Sequence, residues 1–520
     1  MSKSFVKGAL ILTICGLIGK VIGAFYRIPF ALIVGAEGVG LYQLVYPLYT
    51  LMLTLASGGL PTSISKILSE QWAAGEYSLA KKTFKFSMLL LVAFSIIASL
   101  LIVLFSYPVA KLQGNISAFG CYLAISPAVL FVGIISGLRG YFQAKENMTP
   151  TAVSNLIEQV LKVAFGLLLA KLFLPKGIVA ATIGALVGVT ISEVAAFVFM
   201  AICYAYSSKK FTLQKLLVTP VRQSNKQILG KILSIAMPIA LGSIIMPISL
   251  LIDSALVVKL LSTHMDASQA TGLFGLQAGI VGSLSNLPVV AAIGVATAIL
   301  PQLSKQKASG ELDALKGATK NAFLFVLLVS IPCAIVYYFF APQMIGFLYG
   351  HTFSEAEKTV CVGLLKIGAF NIIALSVAQV SASVLQGLGH VKVPVFSLIA
   401  GAISKIVSIC LLVRVPSIGI YGAEISDIIC FAVASIINIV FIYKEVAAFG
   451  LVDSLVVGLF SGVVGVVSYF ASALTSPALK PVLSLLVGGG ITFVIYIALL
   501  LLVVFAKRRQ LHLKRVAKTG

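Results

Sequence analysis

The sequence predicts an all-α polytopic membrane protein. Of its 520 residues, 59% are hydrophobic and only 10% are charged, whereas soluble domains carry charges at about 25% of their positions. Apolar stretches that can span about 30 Å of hydrocarbon as a helix recur along the whole chain. These stretches lack the alternation of a membrane β-strand, and only helices or closed barrels satisfy their backbone in lipid.

Hydropathy, interrupted by Gly, Pro and charged residues, predicts fourteen transmembrane helices. The first apolar run continues past Lys20 to about residue 33, which is too long for a signal peptide, so we expect it to be retained. Lys and Arg concentrate at the N-terminus, in the even-numbered connections and in the C-terminal tail. Such an excess marks the cytoplasmic side, where we expect both termini. The helices are predicted at 8–33, 40–65, 84–108, 115–138, 150–171, 177–205, 229–258, 273–301, 318–340, 358–386, 393–413, 418–443, 452–474 and 481–506.

An internal repeat organises the first twelve helices. Residues 59–76 align without a gap to residues 294–311, and nine of the eighteen positions are identical. A second similarity pairs residues 138–150 with residues 385–394. The two similarities occur in the same order in each half. The first segment closes the second helix of the half, and the second segment links its fourth helix to its fifth. The sequence therefore predicts two six-helix repeats of the same orientation, a layout found in transporters, followed by an appended helix pair.

The repeat predicts five regions along the chain. The linker and the tail are basic, which also favours attraction to anionic membrane lipids. The regions are an N-terminal six-helix lobe at 1–206, a cytoplasmic linker at 207–228, a C-terminal six-helix lobe at 229–444, helices 13 and 14 at 445–506, and a basic cytoplasmic tail at 507–520.

Composition argues against several other classes of protein. The formal net charge is +22, but the cations lie mainly in short loops on one side, so we expect no nucleic-acid partner. The seven Cys and four His residues show no spacing typical of metal ligands. No segment is long enough for a folded aqueous domain, and no acid/base cluster indicates catalysis. We expect neither a cofactor nor an enzyme activity.

The first helix carries two cations without a local acid. Gly16, Lys20, Gly23 and Arg27 are spaced by 4, 3 and 4 residues, so they form one stripe on a helix. A cation at the centre of a bilayer costs about 2.5–3.5 kcal/mol on insertion scales. The stripe indicates either an anion site, with Arg27 suited to bidentate phosphate binding, or pairing with acids of other helices.

Helices 4 and 5 carry three further candidates. Glu158 and Lys162 stand at positions i and i+4, so they either neutralise each other or present Lys162 to an anion. Arg139 ends helix 4 at the cytoplasmic face, where it serves orientation or steers an incoming phosphate. Glu193 is one more buried acid, on helix 6, and like the other ionisable groups inside the membrane it is a functional hypothesis by default.

The second lobe and helix 7 contain the remaining intramembrane charges. Asp253 is the lone acid of helix 7, and it either senses a coupling ion or opposes a first-helix cation. Glu424 and Asp427, at positions i and i+3, either bind a cation or proton or pair with Lys366 or Lys405. These groups, together with Glu158, are the candidates for ion coupling or for charge pairing.

Two stretches carry a family resemblance. Residues 19–70, which begin "GKVIGAFYRIPF", and residues 138–163, which begin "LRGYFQAKENMTP", resemble the polysaccharide-export branch of the MATE-like (MOP) flippase superfamily. The nearest type is that of stage V sporulation protein B and the Gram-positive lipid II flippases. The resemblance implies that Lys20 and Arg27 are cavity cations for a pyrophosphate, and that helices 13 and 14 form a groove for the lipid tail.

The sequence departs from the family at two helices. Lipid II flippases of the Gram-negative branch carry arginines in helices 2 and 8, but residues 40–65 and 273–301 contain no cation here. Lys162, Lys366 and Lys405 are the candidates to complete the cation set.

The resemblance implies a flippase of the bacterial plasma membrane that acts in cell-wall biogenesis or sporulation. It would move undecaprenyl-pyrophosphate-linked saccharide, such as the peptidoglycan precursor lipid II, to the outer leaflet by alternating access. We expect a monomer that is driven by the membrane potential or by Na⁺ or H⁺, with cell-wall synthases as possible partners. The alternatives are a cation-coupled multidrug exporter of the same superfamily, which would favour acids and aromatics, and a membrane glycosyl polymerase.

Overall fold

The computed structural model describes residues 3–214, 223–446 and 462–463. Within these ranges the regular structure is helical and no strand occurs. Nine helices of this part are long and apolar enough to cross a membrane, which confirms an all-α polytopic membrane protein. Apart from residues 462–463, the predicted helices 13 and 14 and the tail lie outside the described residues, as does 215–222 of the predicted linker. The count of fourteen helices therefore stays a prediction.

The chain divides into two compact units, Met1–Ile280 and Val281–Gly520. The first unit contains eight helices and enters a π-helical segment at Gly275–Val281. A short 3₁₀ turn, Leu174–Lys176, separates its fifth and sixth helices. The helices are α1 (Lys3–Ser57), α2 (Leu60–Ala73), α3 (Tyr77–Leu112), α4 (Ala118–Ala144), α5 (Thr149–Phe173), α6 (Ile178–Gln214), α7 (Asn225–Leu261) and α8 (Ala267–Phe274).

The second unit continues from the π-helical segment with six helices in the described residues. They are α9 (Gly282–Ala308), α10 (Leu312–Phe339), α11 (Ala341–Tyr349), α12 (Glu355–Gly387), α13 (Lys392–Leu412) and α14 (Tyr421–Val446). Only α11 has no counterpart among the predicted spans.

The first two predicted helices meet at a glycine kink inside α1. Gly35 has φ 65° and ψ −171°, a backbone conformation that residues other than glycine rarely adopt because of their Cβ. Predicted helix 40–65 is itself broken at Gly58 and Gly59, where Gly59 has φ 74° and Pro61 opens α2. Glycine supplies the left-handed turn and proline starts the next helix, so "GGLP" is a break and not the interior of a span.

The surface of α3 shows how the protein meets lipid. Three of its serines, Ser87, Ser95 and Ser106, are fully buried, whereas Leu89 and Leu104 are 64% and 69% exposed. Small hydroxyl-bearing residues permit close helix packing, and the hydroxyl of Ser87 donates to the carbonyl of Thr83 on its own helix. Large apolar residues therefore face outward, as expected for a helix surrounded by hydrocarbon chains.

The internal repeat is visible in the backbone. Gly75 has φ 78° and Gly310 has φ 71°, and these are matched positions of the repeat. In both places the amide of the glycine, and that of the glutamate after it, donate back to carbonyls in the last turn of the preceding helix. This is the Schellman arrangement of a helix C-terminus. The same local structure therefore recurs 235 positions apart, immediately before α3 and before α10.

Candidate functional site

A ladder of aromatic rings lines the interior of the first unit. Tyr26, Phe30, Tyr42, Tyr46 and Tyr49 all belong to α1 and lie on both sides of the kink at Gly35. Successive ring centroids are 5.5, 5.4, 5.9 and 5.9 Å apart. The kink brings the two arms of α1 together, since Phe30 and Tyr42 contact each other across it. The ladder therefore presents polarisable aromatic ring faces and several tyrosine hydroxyl groups to the interior.

Lys162 of α5 lies against this ladder. Its Nζ is 6.0 Å from the centroid of the Tyr26 ring, and it lies within electrostatic reach of Tyr42, Glu158 and Arg27. The hydroxyl of Tyr26 is buried and has no hydrogen-bond partner among the described residues. Cation–π attraction and a side-chain hydrogen bond with Tyr42 both hold the ammonium. Because an ammonium has three N–H donors, Lys162 keeps donors that an anion can use.

Arg27 binds the π-helical segment that follows α8. Its Nη1 donates to the carbonyl of Gly279 at 3.3 Å, and Nε2 of Gln43 donates to the carbonyl of Ala278 at 2.8 Å. A π-helix displaces carbonyls from the ordinary helical pattern and is frequent at functional sites. Two side chains of α1 thus satisfy carbonyls that this segment presents.

The structure pairs Glu158 with Arg139. Oε2 of Glu158 is 3.2 Å from Nη2 of Arg139, and the two side chains are only 20% and 18% exposed. Nε of Arg139 also donates to the hydroxyl of Ser154, and Nε2 of Gln159 donates to the other oxygen of Glu158 at 3.0 Å. The ion pair of Glu158 is therefore made with α4, and not with Lys162 one turn away on its own helix.

Glu193 of α6 is the acid whose importance only the tertiary structure reveals. It is 4% exposed, and its Oε2 has no hydrogen-bond partner in the described part of the chain. Glu158, Arg139 and Lys162 lie within electrostatic reach of it. One sequence signal could have found it, because Glu193 is the lone acid of the long apolar helix α6. We call Arg27, Arg139, Glu158, Lys162 and Glu193 the charge cluster.

The first-helix stripe is only partly described. Lys20 lies in α1, but its side chain is outside the described part, so its predicted role stays a prediction. At Gly23, an added Cβ would lie 3.3 Å from Oε1 of Gln159. The glycine next to the cations therefore lets α1 approach α5. Asp253, half-buried on α7, also keeps its predicted alternatives.

The second unit places its own charges on α12, α13 and α14. Lys405, 7% exposed, forms an ion pair with Asp427 at 2.5 Å, so one of the predicted pairings is present. Nζ of Lys366 is 5.8 Å from the centroid of the Tyr338 ring. These two lysines are thus held by an acid and by an aromatic ring respectively.

Glu424 lies deeper in the second unit and is 2% exposed. A Cβ added at Gly368 would lie 3.0 Å from Oε1 of Glu424 and 3.0 Å from Oγ of Ser285. The missing side chain of Gly368 therefore lets α12 pass close to both polar groups. No group of three His, Cys, Asp or Glu side chains that could hold a metal ion occurs within the described ranges.

Comparisons with known proteins agree on one superfamily. The family described as polysaccharide biosynthesis protein matches residues 5–307, and the family described as MatE matches residues 238–411. Stage V sporulation protein B of Bacillus subtilis (strain 168) is 28% identical over 82% of this chain and 80% of its own length. Lipid II flippase MurJ of the same organism is 27% identical over 82% of this chain and 79% of its own length.

Solved structures share the fold. Lipid II flippase MurJ in an inward closed conformation has a TM-score of 0.71 at 15% identity, and the match covers 94% of this chain and 98% of that one. An inward-facing multidrug resistance MATE family transporter of the MOP superfamily has a TM-score of 0.66 at 16% identity, over 85% of this chain and 98% of that one. These relatives are flippases and transporters, not enzymes.

Proposed function

The chain belongs to the polysaccharide biosynthesis protein family, and on that premise we propose that it flips an undecaprenyl-pyrophosphate-linked saccharide. The substrate is lipid II or a related cell-envelope glycolipid, moved from the inner to the outer leaflet of the bacterial plasma membrane by alternating access. The family match and the similarity to a lipid II flippase support this class of substrate.

The charge cluster carries the proposal. It holds Arg27, Arg139 and Lys162 against Glu158 and Glu193, so its cations outnumber its acids. A pyrophosphate that enters a poorly solvated interior needs positive partners. The cluster supplies a guanidinium and an ammonium on the aromatic ladder, as recognition of a phosphate requires.

Different cations serve different steps in this proposal. Arg27 and Lys162 bind the pyrophosphate, and Lys20, on the predicted face of Arg27, joins them. Arg139 is held by Glu158, so it steers the phosphate only when that pair opens. In this proposal helices 13 and 14 hold the polyprenyl tail of the substrate, and both termini are cytoplasmic. The protein acts as a monomer, and a membrane potential or an ion gradient drives its transport cycle.

The test is transport by purified protein in liposomes, with a fluorescent undecaprenyl-pyrophosphate saccharide in the inner leaflet. The intact protein should expose the label to an external quencher, and Arg27→Ala and Lys162→Ala should abolish this while still eluting as folded protein. Lys231→Ala is the matched control, because Lys231 forms an ion pair with Glu70 in which both side chains are more than 40% exposed.

A second candidate, a cation-coupled exporter, is favoured by the aromatic ladder, since such rings also hold organic cations. The same liposomes distinguish the two functions. Export of an organic cation without movement of the labelled lipid, under a membrane potential or an ion gradient, would overturn the flippase proposal.

A further inference from the structure

Glu193 is a carboxyl group in an unusual place. Its side chain is 4% exposed, and Oε2 has no hydrogen-bond donor in the part of the chain that the structure describes. A buried carboxylate oxygen without a donor is costly, and an added proton removes the charge of the group. Glu158, by contrast, has Arg139 on one oxygen and Gln159 on the other.

The groups around Glu193 come from three helices. Glu158 and Lys162 reach it from α5 and Arg139 reaches it from α4, while Tyr49 of α1 lies within its electrostatic reach. Two acids in one poorly solvated region disfavour each other's charge. Since Glu158 is already paired, Glu193 is the acid of the two that is left to take a proton.

The close contact of α5 and α6 keeps this arrangement in register. A Cβ at Gly188 of α6 would lie 2.5 Å from the amide nitrogen of Gly166 on α5. Gly166 lies one turn after Lys162, and Gly188 lies five residues before Glu193. The two backbones therefore touch directly beside the charge cluster.

We propose that Glu193 is a proton-binding site whose occupancy sets the charge that the cluster offers to the substrate phosphate. One proton adds to Oε2 of Glu193, and the charge on its carboxyl goes from −1 to 0. The cations of the cluster then face one fewer acid, so the anion binds more tightly. This inference rests on the proposed function and adds proton uptake to the substrate-binding step.

Linkage determines the sign. If the anion binds the protonated cluster more tightly than the deprotonated one, a proton binds the anion-bound cluster more tightly than the free one, by the same factor. Binding of the anion therefore takes up a proton. The affinity therefore falls as the pH rises through the titration of Glu193, by up to about tenfold per pH unit for one linked proton.

The experiment uses the full-length protein in detergent and undecaprenyl pyrophosphate as the probe. Affinity is measured across a pH series, and proton uptake is measured with an indicator dye in weakly buffered solution. The intact protein should bind the probe with uptake of about one proton. Glu193→Gln should bind the probe with an affinity that depends little on pH. The control is Glu70→Gln, which replaces an exposed acid and should keep the pH dependence of the intact protein. Binding without proton uptake, or an unchanged pH dependence in Glu193→Gln, would overturn the inference.

A second measurement needs no substrate. The infrared C=O band of a protonated carboxyl should decrease in the intact protein as the pH rises, and Glu193→Gln should lack that component. If the probe binds at no pH, the proposed function fails, and the infrared band alone then decides whether Glu193 holds a proton. If Glu193→Gln does not fold, proton uptake by the intact protein on probe binding gives the decision.

Discussion

Replacement of Gly188 by alanine tests the packing that positions the charge cluster. The new Cβ would lie 2.5 Å and 2.6 Å from the nitrogen and Cα of Gly166, and 2.6 Å from the carbonyl carbon of Phe165. All three are backbone atoms, which cannot rotate away as the end of a side chain can. The variant must therefore push α5 and α6 apart by about 1 Å, since ordinary contacts of this kind begin near 3.4 Å.

The magnitude follows from two opposing terms. Overpacking of a close-packed interior costs about 1–3 kcal/mol, and the rigid neighbours place this site at the upper end. Replacing a glycine inside a helix by alanine by itself raises the free energy of unfolding by about 0.5–1 kcal/mol. We therefore expect Gly188→Ala to lower the free energy of unfolding by about 2 kcal/mol.

The matched control is Gly230→Ala. Gly230 is a helical glycine of the same unit, and no atom lies within 4 Å of its added Cβ. This control should be neutral or slightly stabilising. Thermal unfolding of the detergent-solubilised protein, followed by size-exclusion elution after heating, compares the two variants. Equal stability of Gly188→Ala and Gly230→Ala would refute the packing argument.

Two further predictions concern charges elsewhere. Asp427→Asn should lower the free energy of unfolding by up to about 3–5 kcal/mol, because it removes the carboxylate that forms the ion pair with the buried Lys405. The double variant with Lys405→Met should recover most of that loss in the same thermal assay, whereas additive losses would contradict the pairing. Lys145, half-buried after α4, has a pKa lowered by burial from 10.5 to about 8. Between those pH values the unfolded chain binds more protons, so the free energy of unfolding should rise with pH relative to Lys145→Met, and parallel pH profiles would contradict this.

Helix content was predictable because it depends on local sequence. A long apolar run forms a helix in lipid whatever its neighbours are, since its backbone groups must be satisfied within the segment. The Schellman turns at Gly75 and Gly310 are equally local, which is why the repeat appeared first as matched letters and then as matched backbone. The break at Gly59 falls inside the predicted helix 40–65, because the interior of a helix tolerates glycine and the letters "GGLP" do not specify the backbone angle.

Charge pairing was less predictable. The spacing of Glu158 and Lys162 left two alternatives, a pair on one helix or a lysine presented to an anion. The structure pairs Glu158 with Arg139 across α4 and α5. Glu193 had no neighbour in sequence that would single it out. In lipid, both the outer and the inner face of a helix are apolar, so hydropathy does not show which face turns inward.

The sequence by itself determined that this chain is a helical membrane protein with a repeated half and with cations in its first helix. Only the tertiary structure decided which charges meet. In the first unit Arg139 meets Glu158, and Glu193 lies near that pair with an unsatisfied oxygen. In the second unit Lys405 meets Asp427. The reason is physical. Helix formation depends on hydrogen bonds within a few residues, whereas a charge cluster depends on the rotation of each helix about its axis, which the close backbone contacts set.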